Sequence, residues 1–171
     1  MTLLRSFAPL VGAEPRVLIL GSMPGVASLR AVEYYGHPQN AFWWIMQELF
    51  AIPVDDSYEE RCRKLTGESI ALWDVLGRCR REGSLDSDID GASEQPNDFA
   101  SLFAAHPKIH TVFFNGAKAE QAWRRHVAPM LESGGAPTSC ERMPSTSPAH
   151  ASLRREQKLL SWRAVANALQ R

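Results

Sequence analysis

Short apolar runs alternate with amphipathic stretches along the chain, and this alternation predicts its secondary structure. Three runs, residues 16–21, 70–76 and 111–115, are nearly continuous in apolar side chains. Runs of this kind are typical of strands that are covered on both faces of a parallel sheet. A weaker run at residues 138–143 predicts a fourth strand.

Apolar residues at helical spacing lie between and after these strands. Pro53 and Pro129 each end a predicted helix, and Asn97 is placed to cap another. The predicted helices cover residues 41–51, 58–65, 99–106, 117–128 and 151–170, the last with Leu153, Leu160, Val165 and Leu169 on its apolar side. The polar segment 77–95 is longer than most connections, which favours a functional or mobile loop.

Strands that alternate with helices in this order predict a three-layer α/β/α fold around a mainly parallel four-stranded sheet. The pattern contains no internal repeat and no linker. We therefore expect one domain over residues 1–171.

Composition narrows the classes of function. Among the 171 residues 44% are apolar, and 19 basic residues balance 19 acidic ones, which argues against a general polyanion binder but permits a local basic face. Cys62, Cys79 and Cys140 are too few and too scattered for a disulfide framework or a closed metal site. No apolar run approaches the roughly 20 residues of a membrane span. We therefore expect a cytoplasmic protein without metal or membrane partner.

The candidate chemistry lies directly after the predicted strands. Ligands of open parallel sheets bind beyond the carboxyl ends of the strands. The segments there are residues 21–25, residues 34–43, Asp74, Asn115 with the following glycine, and residues 144–150. One crevice would thus hold a glycine-lined turn, aromatic faces, two amides, a histidine and a hydroxyl-rich loop.

Each of these features also has a purely structural explanation. Gly21 and Gly25 suit ordinary turns, and Trp43 suits a core. His37 stands before a proline and can fix a turn, while Asn115 can bond to local backbone. The joint arrangement, rather than any single residue, favours a functional site.

Five segments together resemble a known family. They are GSMPG at residues 21–25, YYGHPQNAFW at 34–43, LWDVLGRCRREGSLDSDI at 72–89, VFFNG at 112–116 and PSTSPAHAS at 144–152. They resemble the uracil-DNA glycosylase superfamily, and most closely its hypoxanthine-DNA (deoxyinosine) glycosylase branch. The resemblance implies a monofunctional, monomeric enzyme of base excision repair. Such an enzyme flips a deaminated base out of double-stranded DNA and hydrolyses its N-glycosidic bond without a cofactor.

The resemblance also implies roles for individual residues. Relatives carry an Asn or Asp that handles the attacking water where this chain has Met23, and the hypoxanthine branch uses instead the residue that corresponds to Asn40. His37 and Asp74 are reserve candidates for this polar work. The expected base-binding residues are Gly21, Ser22, Met23, Pro24, Gly25, Tyr35, Phe42 and Asn115.

The segment before the last predicted helix is expected to contact DNA. Its hydroxyl and N–H groups would meet a phosphate at the helix N-terminus, and nearby arginines with Lys158 would add positive charge. Where relatives insert a leucine into the base stack this chain has a small alanine, so a neighbouring loop residue would fill the gap. The expected DNA-binding residues are Ser145, Thr146, Ser147, Ala149, His150, Arg154 and Arg155.

Three alternatives remain open at this point. A uracil-specific or mixed-specificity glycosylase would share the fold. A non-catalytic binder of nucleotides or DNA would bind damaged duplexes without cutting them. A small hydrolase could use Ser145 or Ser147 with His150, although the chain lacks the G-x-S-x-G elbow of that class.

Overall fold

The computed structural model describes residues 2–131 and 135–171 and contains two sheets. The strands are β1 (Leu3–Arg5), β2 (Val17–Gly21), β3 (Ile70–Asp74), β4 (Leu76–Arg80), β5 (Gln95–Pro96), β6 (Thr111–Asn115) and β7 (Ser139–Met143). The larger sheet has the order β3-β2-β6-β7, and every neighbouring pair in it is parallel. The four-stranded parallel sheet predicted from the apolar runs is therefore confirmed.

Helices cover both faces of this sheet. They are α1 (Val26–Ala31), α2 (Phe42–Phe50), α3 (Tyr58–Gly67), α4 (Phe99–Ala105), α5 (Ala117–Ala122) and α6 (Arg155–Leu169). Asp98, not Asn97, caps α4, because its side chain accepts a hydrogen bond from the N–H of Ser101. The last helix begins four residues later than expected, and Leu160 on it is 60% exposed rather than part of the apolar side.

The alternation of side chains along the central strands creates two cores. Val17 and Ile19 point to the side covered by α2, α3 and α6, where Trp162 is fully buried. Leu18 and Leu20 point to the other side, where α4, α5 and β4 pack. Period-two alternation therefore fixes which helices lie on which face.

The small sheet was not expected from the sequence. Its order is β1-β4-β5 and its pairs are antiparallel. Strand β4 occupies the first part of the segment predicted as a long loop, because Leu76 and Cys79 are buried while Arg78 and Arg80 face solvent. Only the residues after β4 form a loop, and an antiparallel bridge between Arg81 and Ile89 brings the two ends of its first part together.

The topology places a crevice at one edge of the larger sheet. From β2 the chain moves to β3 on one side and later to β6 on the other side. This reversal is the switch point beyond which ligands bind in open α/β sheets. Over the part of the chain that the structure describes, no helix has the length and apolar character needed to cross a membrane.

Candidate active site

A cavity of about 610 Å³ lies beyond the carboxyl ends of the parallel strands. It brings together all the singled-out strand-end segments, which are far apart in sequence. Its walls include Gly21, Ser22, Met23, Pro24, Gly25, Tyr35, His37, Asn40, Asp74, Asn115, Ser145, Thr146, Ser147, Ala149 and His150. Phe42, Arg154 and Arg155 are the predicted site residues that do not line it.

The carbonyl groups of the turn after β2 are hydrogen-bonded to the chain that follows β3. The carbonyl oxygens of Gly21 and Ser22 accept hydrogen bonds from the N–H groups of Val75 and Leu76, at 2.8 and 3.1 Å. The carbonyl and N–H of one trans peptide point in opposite directions. The N–H groups of Ser22 and Met23 therefore face away from these bonds. This orientation gives the turn donors for an anion in the cavity.

The fully buried guanidinium of Arg81 supports the same turn. It donates to the carbonyl oxygens of Pro24, at 2.7 Å, and of Gly83, at 2.8 Å. Burial lowers the pKa of Arg81, and the acidic residues around it oppose this effect. Arg81 lies in the segment that the sequence predicts to be a polar loop, and in the structure its buried side chain supports the cavity wall.

Asp74 and Tyr35 lie beside Gly21, and each has a buried polar atom without a hydrogen-bond partner. Asp74 is 4% exposed, and neither its Oδ2 nor the hydroxyl of Tyr35 has a hydrogen-bond partner. Burial, with a contribution from Asp86, raises the pKa of Asp74 to about 7. A Cβ on Gly21 would come within 2.6 Å of the Asp74 Oδ1 and 3.3 Å of the Tyr35 hydroxyl oxygen, so a side chain there would have to displace the Asp74 carboxyl group.

Tyr35 presents its ring to the cavity from a strained backbone. Its φ is 56°, in the left-handed region that non-glycine residues rarely adopt. Its ring stacks on Phe42 at a centroid distance of 4.1 Å. Phe42 is fully buried and packs against the Tyr35 ring. The prediction that Phe42 contacts a base directly is therefore wrong, and Phe42 instead supports the ring of Tyr35.

Asn40 and His37 lie just before α2, and local hydrogen bonds orient both side chains. The Oδ1 of Asn40 accepts from the N–H of Phe42 at 3.0 Å, which leaves the Nδ2 group at the other end of the amide. The Nδ1 of His37 accepts from the N–H of Gln39 at 3.0 Å. A neutral His37 ring therefore carries its proton on Nε2.

Thr146 joins the loop after β7 to the rest of the site. Its N–H donates to the Oδ1 of Asn115 and its hydroxyl accepts from the Nδ2 of Asn115, both at 2.9 Å. Its carbonyl oxygen accepts from the N–H of Ala41 at 3.0 Å. Thr146 is almost completely buried, so the expectation that its hydroxyl meets a DNA phosphate is wrong. Asn115 thus bonds to the loop after β7 rather than to its local backbone, and it also lines the cavity.

The loop around Ser147 precedes the last helix rather than forming its first turn. Helix α6 begins only at Arg155, so residues 145–147 do not have the helix N-terminus that was expected for them. Lys158 is buried and donates to the carbonyl oxygen of Ser147 at 3.2 Å, and it is thus part of the loop's support rather than of a positive surface. The guanidinium of Arg155 lies over the ring of Trp44, at 4.3 Å from its centroid.

Sequence reasoning missed residues 84–87 as a wall of the cavity. Ser84 and Asp86 bond to the turn after β2 through the N–H of Val26 and the hydroxyl of Ser22, at 2.9 and 2.6 Å. Two signals were available in the sequence: the length of the polar stretch after Asp74, which favoured a functional or mobile loop, and the family resemblance of residues 72–89. Among residues 2–131 and 135–171, no three His, Cys, Asp or Glu side chains are grouped to hold a metal ion.

Comparison with known proteins places the chain in a family. The model of the Uracil DNA glycosylase superfamily matches residues 8–170. A Methanosarcina acetivorans protein named hypoxanthine DNA glycosylase is 35% identical over 162 residues, which cover 94% of this chain and 96% of that protein. A Methanosarcina barkeri protein of the same name is 36% identical over 116 residues, 67% of this chain and 72% of that protein.

A solved structure extends the agreement to the fold. It is a solution NMR structure of a Methanosarcina acetivorans protein titled as a uracil DNA glycosylase, with a TM-score of 0.80 and 32% identity. The match covers 99% of this chain and all of that one. In sequence from residue 8 to residue 170, and in fold over nearly its whole length, the chain belongs to the uracil DNA glycosylase superfamily.

Proposed function

We propose that this chain is a monofunctional DNA glycosylase of base excision repair that removes hypoxanthine from deoxyinosine in double-stranded DNA. The observation that carries the proposal is the single cavity lined by the turn at residues 21–25 together with Asn40, Asp74 and Asn115. Two relatives that bear the name hypoxanthine DNA glycosylase support the choice of base.

The target nucleotide must leave the DNA double helix to reach this cavity. Extrusion costs about a few kcal/mol of unstacking, and a mispaired deaminated base costs less than a paired normal one. Tyr35, supported from behind by Phe42, offers the flipped base an aromatic face worth about 1–3 kcal/mol. Asn115 supplies the second hydrogen of its Nδ2 and the second lone pair of its Oδ1 to the base edge.

Cleavage of the glycosidic bond leaves negative charge on the base and positive charge on the sugar. The N–H groups of Ser22 and Met23 stabilise the departing anion in the manner of an oxyanion hole. Asn40 orients the water that captures the sugar cation, for which position matters more than deprotonation. The proton that this water then loses neutralises the departing base anion. A protonated Asp74 donates a hydrogen bond to the base, a role that its raised pKa favours at neutral pH.

DNA phosphates meet the chain around the mouth of the cavity. We assign this contact to Ser145, Ser147, His150 and the two exposed arginines 154 and 155. A groove beside the cavity has Arg124, Arg125 and Arg142 in its walls, together with Glu120, which pairs with Arg124 and Arg142. We further propose that the enzyme is a one-domain monomer that acts in the cytoplasm, where its three free cysteines would stay reduced.

A second candidate substrate is uracil in DNA, because the solved relative is titled as a uracil DNA glycosylase. Single-turnover assays with duplexes that carry one hypoxanthine, uracil, xanthine or alkylated base separate these cases. We expect the fastest release from the hypoxanthine duplex. Faster release of uracil would select the second candidate, and binding of every duplex without release of any base would make the chain a non-catalytic binder.

A further inference from the structure

Lys118 is the only lysine or arginine in the walls of the cavity, over residues 2–131 and 135–171. It is the second residue of α5 and follows the turn after β6. It also lines the groove beside the cavity. Lys118 therefore lies at the rim where the cavity and the groove meet.

A buried carboxylate holds the ammonium group of Lys118 in place. The side chain of Glu94 is 1% exposed, and its Oε1 accepts a hydrogen bond from the Nζ of Lys118. The same Nζ lies 3.5 Å from the Oε1 of Gln121. The side chain of Lys118 is only 17% exposed, whereas most lysines extend freely into solvent. The ammonium group thus has a defined position at the rim.

His126 completes the support of Glu94 from the other side. Its Nε2 lies 2.7 Å from the Oε2 of Glu94. An ionised carboxylate can only accept hydrogen bonds, so the Nε2 carries a proton. Both oxygens of Glu94 are therefore occupied. The ammonium group of Lys118 has three hydrogens and two acceptors in the described part of the chain, which leaves one hydrogen for a ligand.

The ion pair also has a structural role, because it joins the residue before β5 to α5. A purely structural link does not require a lysine that lines the cavity. An apolar pair of similar volume would join the two segments without the cost of taking two charges out of water. The position of Lys118 at the rim therefore favours a ligand for its charge.

A phosphate group of the DNA strand is the ligand that this position favours. A flipped nucleotide places its base in the cavity while its backbone stays outside, so the phosphates beside it lie at the rim. Lysine binds phosphate as a point charge. Asp86 lies at the same rim with the opposite charge, but its Oδ1 accepts the hydroxyl of Ser22 in the turn after β2.

We propose that Lys118 binds one phosphate next to the flipped nucleotide, where the DNA strand passes from the cavity to the groove, and that Glu94 and His126 position it. This inference rests on the proposed glycosylase function. It assigns to Lys118 the capture of the extruded strand and not the cleavage of the bond. Its loss should therefore weaken binding more than it slows the chemical step.

The test measures single-turnover release of hypoxanthine as a function of enzyme concentration. Five duplexes are compared: one unmodified, and four with a neutral methylphosphonate at one of the two phosphates on either side of deoxyinosine. For wild type, we expect one modified position to raise the half-saturating enzyme concentration by about tenfold. Lys118→Met should raise it about tenfold on the unmodified duplex, keep the maximal rate within about threefold, and lose nothing further at that position.

Glu94→Gln tests the positioning role. It keeps the shape of the side chain and an acceptor for Lys118 but removes the charge. We expect it to shrink the penalty of the sensitive methylphosphonate position from about tenfold to about threefold or less. This penalty compares two duplexes with one protein preparation, so any change in the fraction of folded protein cancels.

Lys108→Met is the matched control. Lys108 also pairs with a glutamate, Glu14 at 2.8 Å, but lies outside the walls of both the cavity and the groove. This variant should behave as wild type on all five duplexes. Equal methylphosphonate penalties in wild type and Lys118→Met at every position would overturn the phosphate role, as would a lower maximal rate with an unchanged half-saturating concentration. Failure of wild type to release base from any duplex would instead overturn the proposed function.

Discussion

Replacement of Asp74 by asparagine should change how the stability of the protein depends on pH. The unfolded chain ionises this carboxyl near its ordinary value of 3.8, whereas burial raises its pKa in the folded protein to about 7. Between these values the folded state holds a proton that the unfolded state has lost. The free energy of unfolding of wild type must therefore fall, relative to Asp74→Asn, as pH rises through this window.

The size of the effect follows from the pKa values. Each unit of difference corresponds to about 1.4 kcal/mol, so a shift from 3.8 to about 7 gives roughly 4 kcal/mol as an upper bound. Most of this change should accumulate between about pH 4 and pH 7, with a plateau above pH 8. Urea titrations of wild type and Asp74→Asn across this range measure the difference directly, since other titrating groups cancel in it.

A second carboxyl provides a control of opposite sign. The Ser101 hydroxyl that donates to Asp98 lowers the pKa of that exposed carboxyl, so wild type should gain stability over Asp98→Asn as pH rises through the acidic range. A difference between wild type and Asp74→Asn that stays constant from pH 4 to pH 8 would refute the reasoning. Such a constant difference would mean that the Asp74 carboxyl is ionised in the folded protein over this range, with its charge stabilised by neighbouring groups.

Three further variants test the other parts of the site. Asn40→Ala should slow single-turnover release by about a hundredfold or more with little change in duplex binding; a near-normal rate would move the water-positioning role to His37 or Asp74. Asn115→Asp keeps an acceptor for the N–H of Thr146 but puts negative charge beside the departing base anion. Release of the base should therefore fall sharply while the melting temperature stays unchanged; full activity would mean that the residue only positions Thr146. Alanine at both Arg154 and Arg155 should flatten the salt dependence of duplex binding by about one unit of slope per lost phosphate contact; an unchanged slope would place the phosphates in the neighbouring groove.

The parallel sheet and the place of the site could be predicted because both follow from local pattern. Strands β2, β3 and β6 are continuous apolar runs, and the rule that ligands bind beyond strand ends then selects the turn after Gly21, Asp74 and Asn115. These residues do line one cavity.

The remaining features depend on contacts between segments that are far apart in sequence. The sequence of β4 alternates in polarity over only five residues, and its partner β1 lies more than 70 residues earlier, so nothing local marks the small sheet. The burial of Arg81 depends on its hydrogen bond to the carbonyl oxygen of Pro24, 57 residues earlier, and that of Lys158 on its bond to Ser147 in the loop before α6. Charged residues of this kind are normally exposed, so a reading of the sequence places them on the surface.

The most direct test of the account is the identity of the product released from a deoxyinosine duplex. Mass spectrometry of the small molecules after incubation with wild type should detect free hypoxanthine, while the DNA strand stays intact until alkali cleaves the abasic site. The same incubation with Asn40→Ala should release at least about a hundredfold less hypoxanthine in the same time. A broken strand that still carries its hypoxanthine, or no product with wild type at all, would contradict the assignment of base excision to this cavity.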